Sequence, residues 1–477
     1  MSGQGCFING KWVAAESGTL EALDPATGAV ITEIARGGPK EVEAAVSAAR
    51  EAMSGDWAQW PAVERGRVLS RLGALIADQH EAIAKIECRD TGKPLSQARN
   101  DITATARYFE YYGGAADKLH GEVIPYQDGT TVMVQREPYG VCGVITPWNY
   151  PAQVFGRTVG GALSAGNSVV LKPAEEACLS VLTLAELAAD AGLPAGALNV
   201  VPGLGVEAGA ALASHPGIDH LSFTGSPATG TAVARSASER HVPLTMELGG
   251  KSAQIVFADA DLDRAAETAV RAIVQNAGQT CSAGSRLLVE RAASDAMVSR
   301  LAERFSALIC GPGLEDLDCG PLINGAQKAR LESMLERGRA AGMQILAVGR
   351  VAEDAPAAGH FVPPMLISGI PADHEVAQEE LFGPVLTVFE FDDADEAVAL
   401  ANGTEFGLVT GLWTRDASRA LALPRRLQSG QVFVNNYGAG GGVELPFGGV
   451  KRSGYGREKG FEGMKSFTTM KTVVLRH

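Results

Sequence analysis

Between residues 141 and 224 the chain repeats one pattern four times, a short apolar run followed by a stretch with helical spacing. The runs are VCGVIT, SVVLK, ALNVV and DHLSFTG, and the helices that follow are predicted after Pro151, at 179 to 191, at 205 to 214 and at 227 to 236. Short apolar strands alternating with helices indicate a parallel sheet covered on both faces, an α/β nucleotide-binding pattern. A second α/β stretch has strands near 253 to 257, 286 to 290, 384 to 391, 408 to 413 and 431 to 434, with helices at 261 to 277, 294 to 307 and 394 to 402. Two α/β domains leave a cleft between them, where ligands of such folds bind.

The rest of the chain has a different texture. Residues 40 to 53 and 61 to 90 carry apolar side chains at helical spacing, as with Val68, Leu72, Leu75 and Ile76, so the first hundred residues are expected to be largely helical. GEVIPYQDGTTVMVQRE, near 122 to 136, reads as two extended strands around Asp128-Gly129. A ribbon of two strands cannot bury itself and needs a partner surface.

Composition narrows the function classes. With 41 basic and 55 acidic residues the net charge is −14, which argues against nucleic acid as a partner. The start, MSGQGCFINGKW, shows no basic-then-apolar leader, and no apolar stretch is long enough to span a bilayer. A cytoplasmic protein without membrane partners is expected. The 7 cysteines are scattered without a C-x-x-C spacing, and the 8 histidines show no ligand spacing, so neither a disulfide framework nor a metal site is indicated.

One cysteine stands out by its setting. In DLDRAAETAVRAIVQNA, Leu262, Ala265, Ala269, Ile273 and Val274 share a face, Asp261 suits the N-cap and Gly278 a helix stop. Cys281 then falls in the loop of QNAGQTCSAGS, before the strand at 286. A thiol there is either an incidental loop cysteine or a nucleophile, and a nucleophile needs a base or dipole to generate thiolate. Glu247, at the end of PLTMELGGK, is either an exposed strand-end acid or, among apolar neighbours, a general base of raised pKa. His241 or His220 as the partner would instead make a cysteine hydrolase. Asn149 in TPWNYP either caps the helix that begins near Pro151 or donates its amide to a developing oxyanion. KPAE and FTGS end two strands, where Lys172 and Glu175 could bond ribose hydroxyls and Ser226 a diphosphate at a helix N-terminus. GSPATG does not have the G-x-G-x-x-G spacing, and an ordinary strand-to-helix turn reads the same way.

Taken in order, TPWNYP, KPAE, FTGS, MELGGK, GQTCSAGSR, QEELFGPV and PFGGVKRSGYGREKG resemble the NAD(P)-dependent aldehyde dehydrogenase superfamily along nearly the whole chain. The resemblance implies a Rossmann-like cofactor domain (1–119 and 139–249), an α/β catalytic domain (250–452), and a β-ribbon oligomerisation element with the C-terminal tail (120–138 and 453–477). The ribbon would then find its partner outside its own chain, in a homodimer or homotetramer. Site roles follow residue by residue: Cys281 as nucleophile, Asn149 with the Cys281 amide as oxyanion hole, Glu247 as the base for the hydrolytic water, and Glu458 as a second, proton-relaying acid. Cofactor contacts are implied for Thr146, Pro147, Trp148, Lys172, Glu175, Gly225, Ser226, Leu248, Glu380 and Phe382. Glu175 would repel a 2′-phosphate, so NAD is expected over NADP, with Lys172 softening the contrast.

The implied reaction is oxidation of a small-molecule aldehyde to a carboxylic acid through a thiohemiacetal and a thioester. Val154, Arg157 and Thr158 project from one helix face, and Arg157 stands where relatives that oxidise succinate semialdehyde carry a carboxylate-binding arginine. A carboxylated aldehyde is the expected substrate, the alternative being that Arg157 pairs with a protein acid. Gln275 stands where those relatives have a second arginine. The glycine-rich loop 435 to 449 is expected to rim the tunnel, with Phe447 as a wall. Rival readings are a CoA-acylating enzyme and a catalytically silent relative.

Overall fold

The computed structural model describes residues 5–438 and 442–477. Its first large sheet is built on five parallel strands in the order Leu198–Val200, Ser168–Lys172, Val141–Ile145, His220–Thr224, Leu244–Glu247. The parallel part starts in its middle, at Val141–Ile145, builds outward to one side, and returns to build the other. The carboxyl ends of Val141–Ile145 and His220–Thr224 therefore diverge into a crevice, where doubly wound sheets bind ligands. Val141–Ile145 and Ser168–Lys172 are buried at every position, as strands covered on both faces must be.

The second large sheet contains Met365–Ser368, Val385–Phe391, Arg286–Glu290, Ala253–Val256, Val409–Trp413 and Gln431–Val434 as parallel neighbours, with Gln344–Val348 antiparallel on one edge. The helix Leu262–Val274 buries Ala265, Ala269, Ile273 and Val274 against it, and the Asp261 carboxylate caps its first turn by accepting from the Arg264 amide at 3.1 Å.

Three sequence expectations need correction. The helix ends at Val274, not 277, because Asn276, Ala277 and Gly278 all have left-handed φ. The helical start of the chain is preceded by four strands, Cys6–Ile8, Lys11–Val13, Thr19–Leu23 and Val30–Ala35, too short for apolar periodicity to reveal. And the ribbon does have a partner in its own chain. Thr130–Pro138 pairs with Glu122–Ile124 on one side and along its whole length with the C-terminal strand Thr468–Arg476 on the other. Pairing satisfies the backbone but not the faces: Val123, Tyr126, Met470 and Val474 remain 60 to 71 % exposed. Among the described residues no helix is long and apolar enough to cross a membrane.

Candidate active site

A cavity of about 420 Å³ opens at the crevice of the first sheet and is closed from the other side by loops of the second. It gathers Pro147, Trp148, Asn149, Val154, Arg157, Gly225, Ser226, Glu247, Leu248, Cys281, Glu380, Phe382 and Phe447. Thr146, Lys172, Glu175 and Glu458 were expected at the site as well, but they do not line this cavity. The loop 435 to 449 is only partly described, since 439 to 441 lie outside the described residues.

Cys281 is half-buried and follows the left-handed turn after the helix Leu262–Val274. Left-handed φ is costly for Asn276 and Ala277, and a polar lattice holds it. The Asn276 amide donates to Gln97 Oε1 at 2.7 Å, Asn276 Nδ2 donates to the Asn149 carbonyl at 2.9 Å, and the Ile323 amide donates to Gln279 Oε1 at 2.8 Å. Burial pushes the Cys281 thiol up to about 12, against the opposing pull of Arg157.

Asn149 does not cap its helix. The N-cap of Pro151–Ser164 is Tyr150, and Asn149 Nδ2 instead donates to the Gln279 carbonyl at 2.9 Å, two residues from Cys281. One N–H of the amide is used there and the second has no protein acceptor among the described residues. Glu247 is not an exposed strand end: it is 2 % exposed, and neither carboxyl oxygen has a hydrogen-bond partner among the described residues. Burial first, then the negative charge of Glu458, raises its pKa well above the ordinary carboxyl range. Gly448 makes room for it, since a Cβ there would stand 2.7 Å from Glu247 Oε1.

The histidine alternatives fall away on geometry. His220 is buried within the first sheet beside Thr245, 3.3 Å from its hydroxyl, His241 is exposed, and neither lines the cavity.

Arg157 is engaged. Its Nε lies 2.5 Å from Glu458 Oε2, NH2 donates to Thr224 Oγ1 at 3.3 Å, and the guanidinium sits 5.5 Å from the Phe447 ring centre. Glu458 also accepts from Ser222 Oγ at 2.9 Å. The protein acid named as the alternative partner is thus Glu458, which reaches the cavity through Arg157. Gln275 donates to the Tyr150 hydroxyl at 2.8 Å, which is in turn 2.8 Å from Thr280 Oγ1.

Along the other limb of the cavity, Ser226 caps Pro227–Ser238, its hydroxyl accepting from the Thr229 amide at 3.2 Å. Glu380 accepts from the Gly250 amide at 3.2 Å, and burial moves its carboxyl up to about 7. Phe382 has a left-handed φ of 54° and packs edge-on against Trp148 at 5.3 Å. Lys172 and Glu175 bond each other at 2.6 Å at the end of their strand, and Glu175 accepts from the Gly205 amide at 3.2 Å. Sequence reading missed Gln279, Asn276, Lys93 and Arg330. Arg330 donates to the carbonyls of Glu380 at 2.8 Å and Leu381 at 3.2 Å, holding the segment that presents Glu380 and Phe382.

Comparisons with known proteins show the family of the chain. The model of the aldehyde dehydrogenase family matches residues 12–473. The chain belongs to the aldehyde dehydrogenase family, a family of oxidoreductases. An aldehyde dehydrogenase of Aspergillus niger is 39 % identical over 475 residues, 99 % of this chain and 95 % of that protein. Among solved structures, a Burkholderia cenocepacia protein provisionally named an aldehyde dehydrogenase is 60 % identical with a TM-score of 0.98, covering 99 % of this chain and 100 % of its own. An aldehyde dehydrogenase of Bacillus cereus, solved in complex with NAD+, is 38 % identical with a TM-score of 0.96, covering 99 % and 96 % of the two chains.

Proposed function

We propose that this protein oxidises an aldehyde to its carboxylic acid with NAD as cofactor, through a covalent adduct on Cys281. The observation that carries the reading is one cavity holding a thiol, a side-chain amide that donates to the carbonyl two residues before that thiol, and a buried carboxyl with no hydrogen-bond partner among the described residues. The NAD+ complex of the Bacillus cereus relative supports the cofactor. So does the donor set of this chain: a capped helix N-terminus beside Gly225 suits a diphosphate, and Glu380 suits a ribose diol.

In this reading Cys281 releases its thiol proton to solvent, its thiolate Sγ attacks the aldehyde carbon, and the oxygen that gains charge receives the free N–H of Asn149 together with the Cys281 backbone amide. Bound NAD supplies the acceptor for the hydride that the adduct loses. Glu247 then takes a proton from the water that attacks the thioester, and the Cys281 thiolate leaves. A carboxyl of raised pKa is a stronger base once ionised, which suits it to that role. Glu458, joined to Arg157 and Ser222, is the acid to which we assign onward proton transfer.

We take NAD as preferred over NADP because Glu175 offers a carboxylate where a 2′-phosphate would be repelled. For the substrate, a carboxylated aldehyde would have to compete for a guanidinium that Glu458 already holds at 2.5 Å, so we favour an uncharged aldehyde. We keep the division into a cofactor part, a catalytic part and a ribbon, and assign a homo-oligomer on the exposed apolar faces of the ribbon. The free state of all seven cysteines supports a reducing compartment such as the cytoplasm.

The test is NADH absorbance with purified protein and a panel of succinate semialdehyde, betaine aldehyde, benzaldehyde and hexanal, with and without CoA. Oxidation without CoA is expected, with uncharged aldehydes ahead of the semialdehyde. A Cys281→Ser variant that oxidises aldehydes as fast as the parent overturns the mechanism, and a CoA requirement overturns the hydrolytic step.

A further inference from the structure

Lys93 is a fully buried ammonium that none of the chemistry above uses; its side chain is 0 % exposed. It follows Gly92, whose left-handed φ of 78° ends the helix His80–Thr91 and turns the chain inward. Nζ meets three oxygens: Asp101 Oδ2 at 2.5 Å, Asn149 O at 3.0 Å and Glu87 Oε1 at 3.2 Å. It also lies 4.4 Å from the centre of the Tyr150 ring. An ammonium carries three N–H groups, so the set is complete. A planar guanidinium, with five donors in a fixed fork, does not match three converging single acceptors.

Burial works against the charge of Lys93, but Asp101 and Glu87 more than offset it, so the group stays protonated. Each carboxylate is anchored in turn, Glu87 accepting from Ser180 Oγ at 2.5 Å and Asp101 from Gln153 Nε2 at 2.7 Å. Of this cluster, Asn149, Tyr150 and Gln153 line the cavity with Cys281, and Lys93 itself reaches it through Asn149. The Asn149 carbonyl is held by Lys93 and Asn276, and its amide side chain by Gln279.

We infer that Lys93 is a positioning residue for the Asn149 amide, a charge-assisted hydrogen bond from behind the cavity that keeps the oxyanion donor aimed at Cys281. The inference rests on the oxyanion role proposed above. A displacement of a catalytic group by about 1 Å lowers rates ~10²-fold, and without the ammonium the Asn149 carbonyl keeps only the neutral donor of Asn276.

A double-mutant cycle of Lys93→Gln and Asn149→Ala, read as the single-turnover rate of NADH formation, tests it. Lys93→Gln is expected to lower that rate ~10²-fold while the NAD dissociation constant, from fluorescence titration, stays unchanged. In the Asn149→Ala background the same substitution should change the rate by no more than about twofold, the scatter of independent sites. Should the two losses multiply, or NAD binding weaken in step with the rate, Lys93 is only a structural ion and the inference is overturned. An Asn149→Ala enzyme as fast as the parent would instead overturn the oxyanion assignment itself. If Lys93→Gln does not fold, Lys93→Gln with Asp101→Asn, which removes the stranded carboxylate, takes its place in the cycle.

Discussion

In the proposed mechanism Cys281 and Glu247 act as thiolate and carboxylate, yet both stand where burial favours their neutral forms. The sign for activity follows: deprotonation is delayed to higher pH for each, so kcat/KM, through Cys281, and kcat, through Glu247, should climb from about pH 6 to about pH 9. A profile that is flat or falling over that range contradicts the assignment. Glu247→Gln should keep the first-turnover burst of NADH and lose steady-state turnover; loss of the burst as well would show a role before hydrolysis. At Arg157 the structural and substrate-binding roles part company in stability. Its partner Glu458 is 0 % exposed, so Arg157→Met strands a buried carboxylate and should cost about 3–5 kcal/mol in urea unfolding. Arg157→Met with Glu458→Gln should recover much of that, whereas an arginine kept for a substrate carboxylate would cost little when removed.

The element that decides the site is the left-handed turn between the helix Leu262–Val274 and Cys281. Gly278 is the tightest point in it: φ is +72°, and an added Cβ would lie 2.1 Å from the Gly383 carbonyl oxygen. Gly278→Ala must therefore move either the turn or the segment leading from Glu380 and Phe382. A loss of about 1–3 kcal/mol is expected, together with a fall in kcat, because Cys281 is three residues away. Unchanged melting and turnover would show that the turn relaxes without carrying the thiol. Composition marked Gly278 as a helix stop, but it could not show that the helix yields at Val274. That outcome depends on Gln97, Asn149 and Ile323, which are far away in the chain.

At the scale of the molecule, the first sheet carries a pH liability in its interior. His220 is buried beside Thr245 between Tyr139 and Phe467, and burial lowers its pKa from 6.5 to about 3. A depressed folded pKa contributes stability that is present above the unfolded value and lost as the pH falls. Between about pH 6.5 and 3 the unfolded chain takes up a proton that the folded chain refuses, at up to about 1.4 kcal/mol per pH unit. The urea midpoint should drop between about pH 7 and 5, and His220→Leu should flatten that drop. The ribbon makes a separate prediction. Met470→Glu with Val474→Glu places charge on its exposed face and should shift sedimentation from oligomer to monomer; an unaltered sedimentation coefficient would move the interface elsewhere.

The alternation of strand and helix, the loop position of Cys281 and the strand-end position of Glu247 were all legible in the sequence, because each follows from local spacing and from residues adjacent in the chain. The same holds for the cap at Asp261. What tertiary structure alone decided was pairing across distance. Arg157 had two readings until Glu458, some three hundred residues on, was seen to hold it. Asn149 likewise kept its helix-cap reading until Tyr150 was seen to hold the cap and Gln279 to accept from its amide. Lys93 gave no signal at all, since a lysine after Gly92 reads as a solvated turn until Glu87, Asp101 and Asn149 close around it. A buried polar group must find its partners wherever the fold brings them, and those partners are set by packing, not by neighbours in the chain.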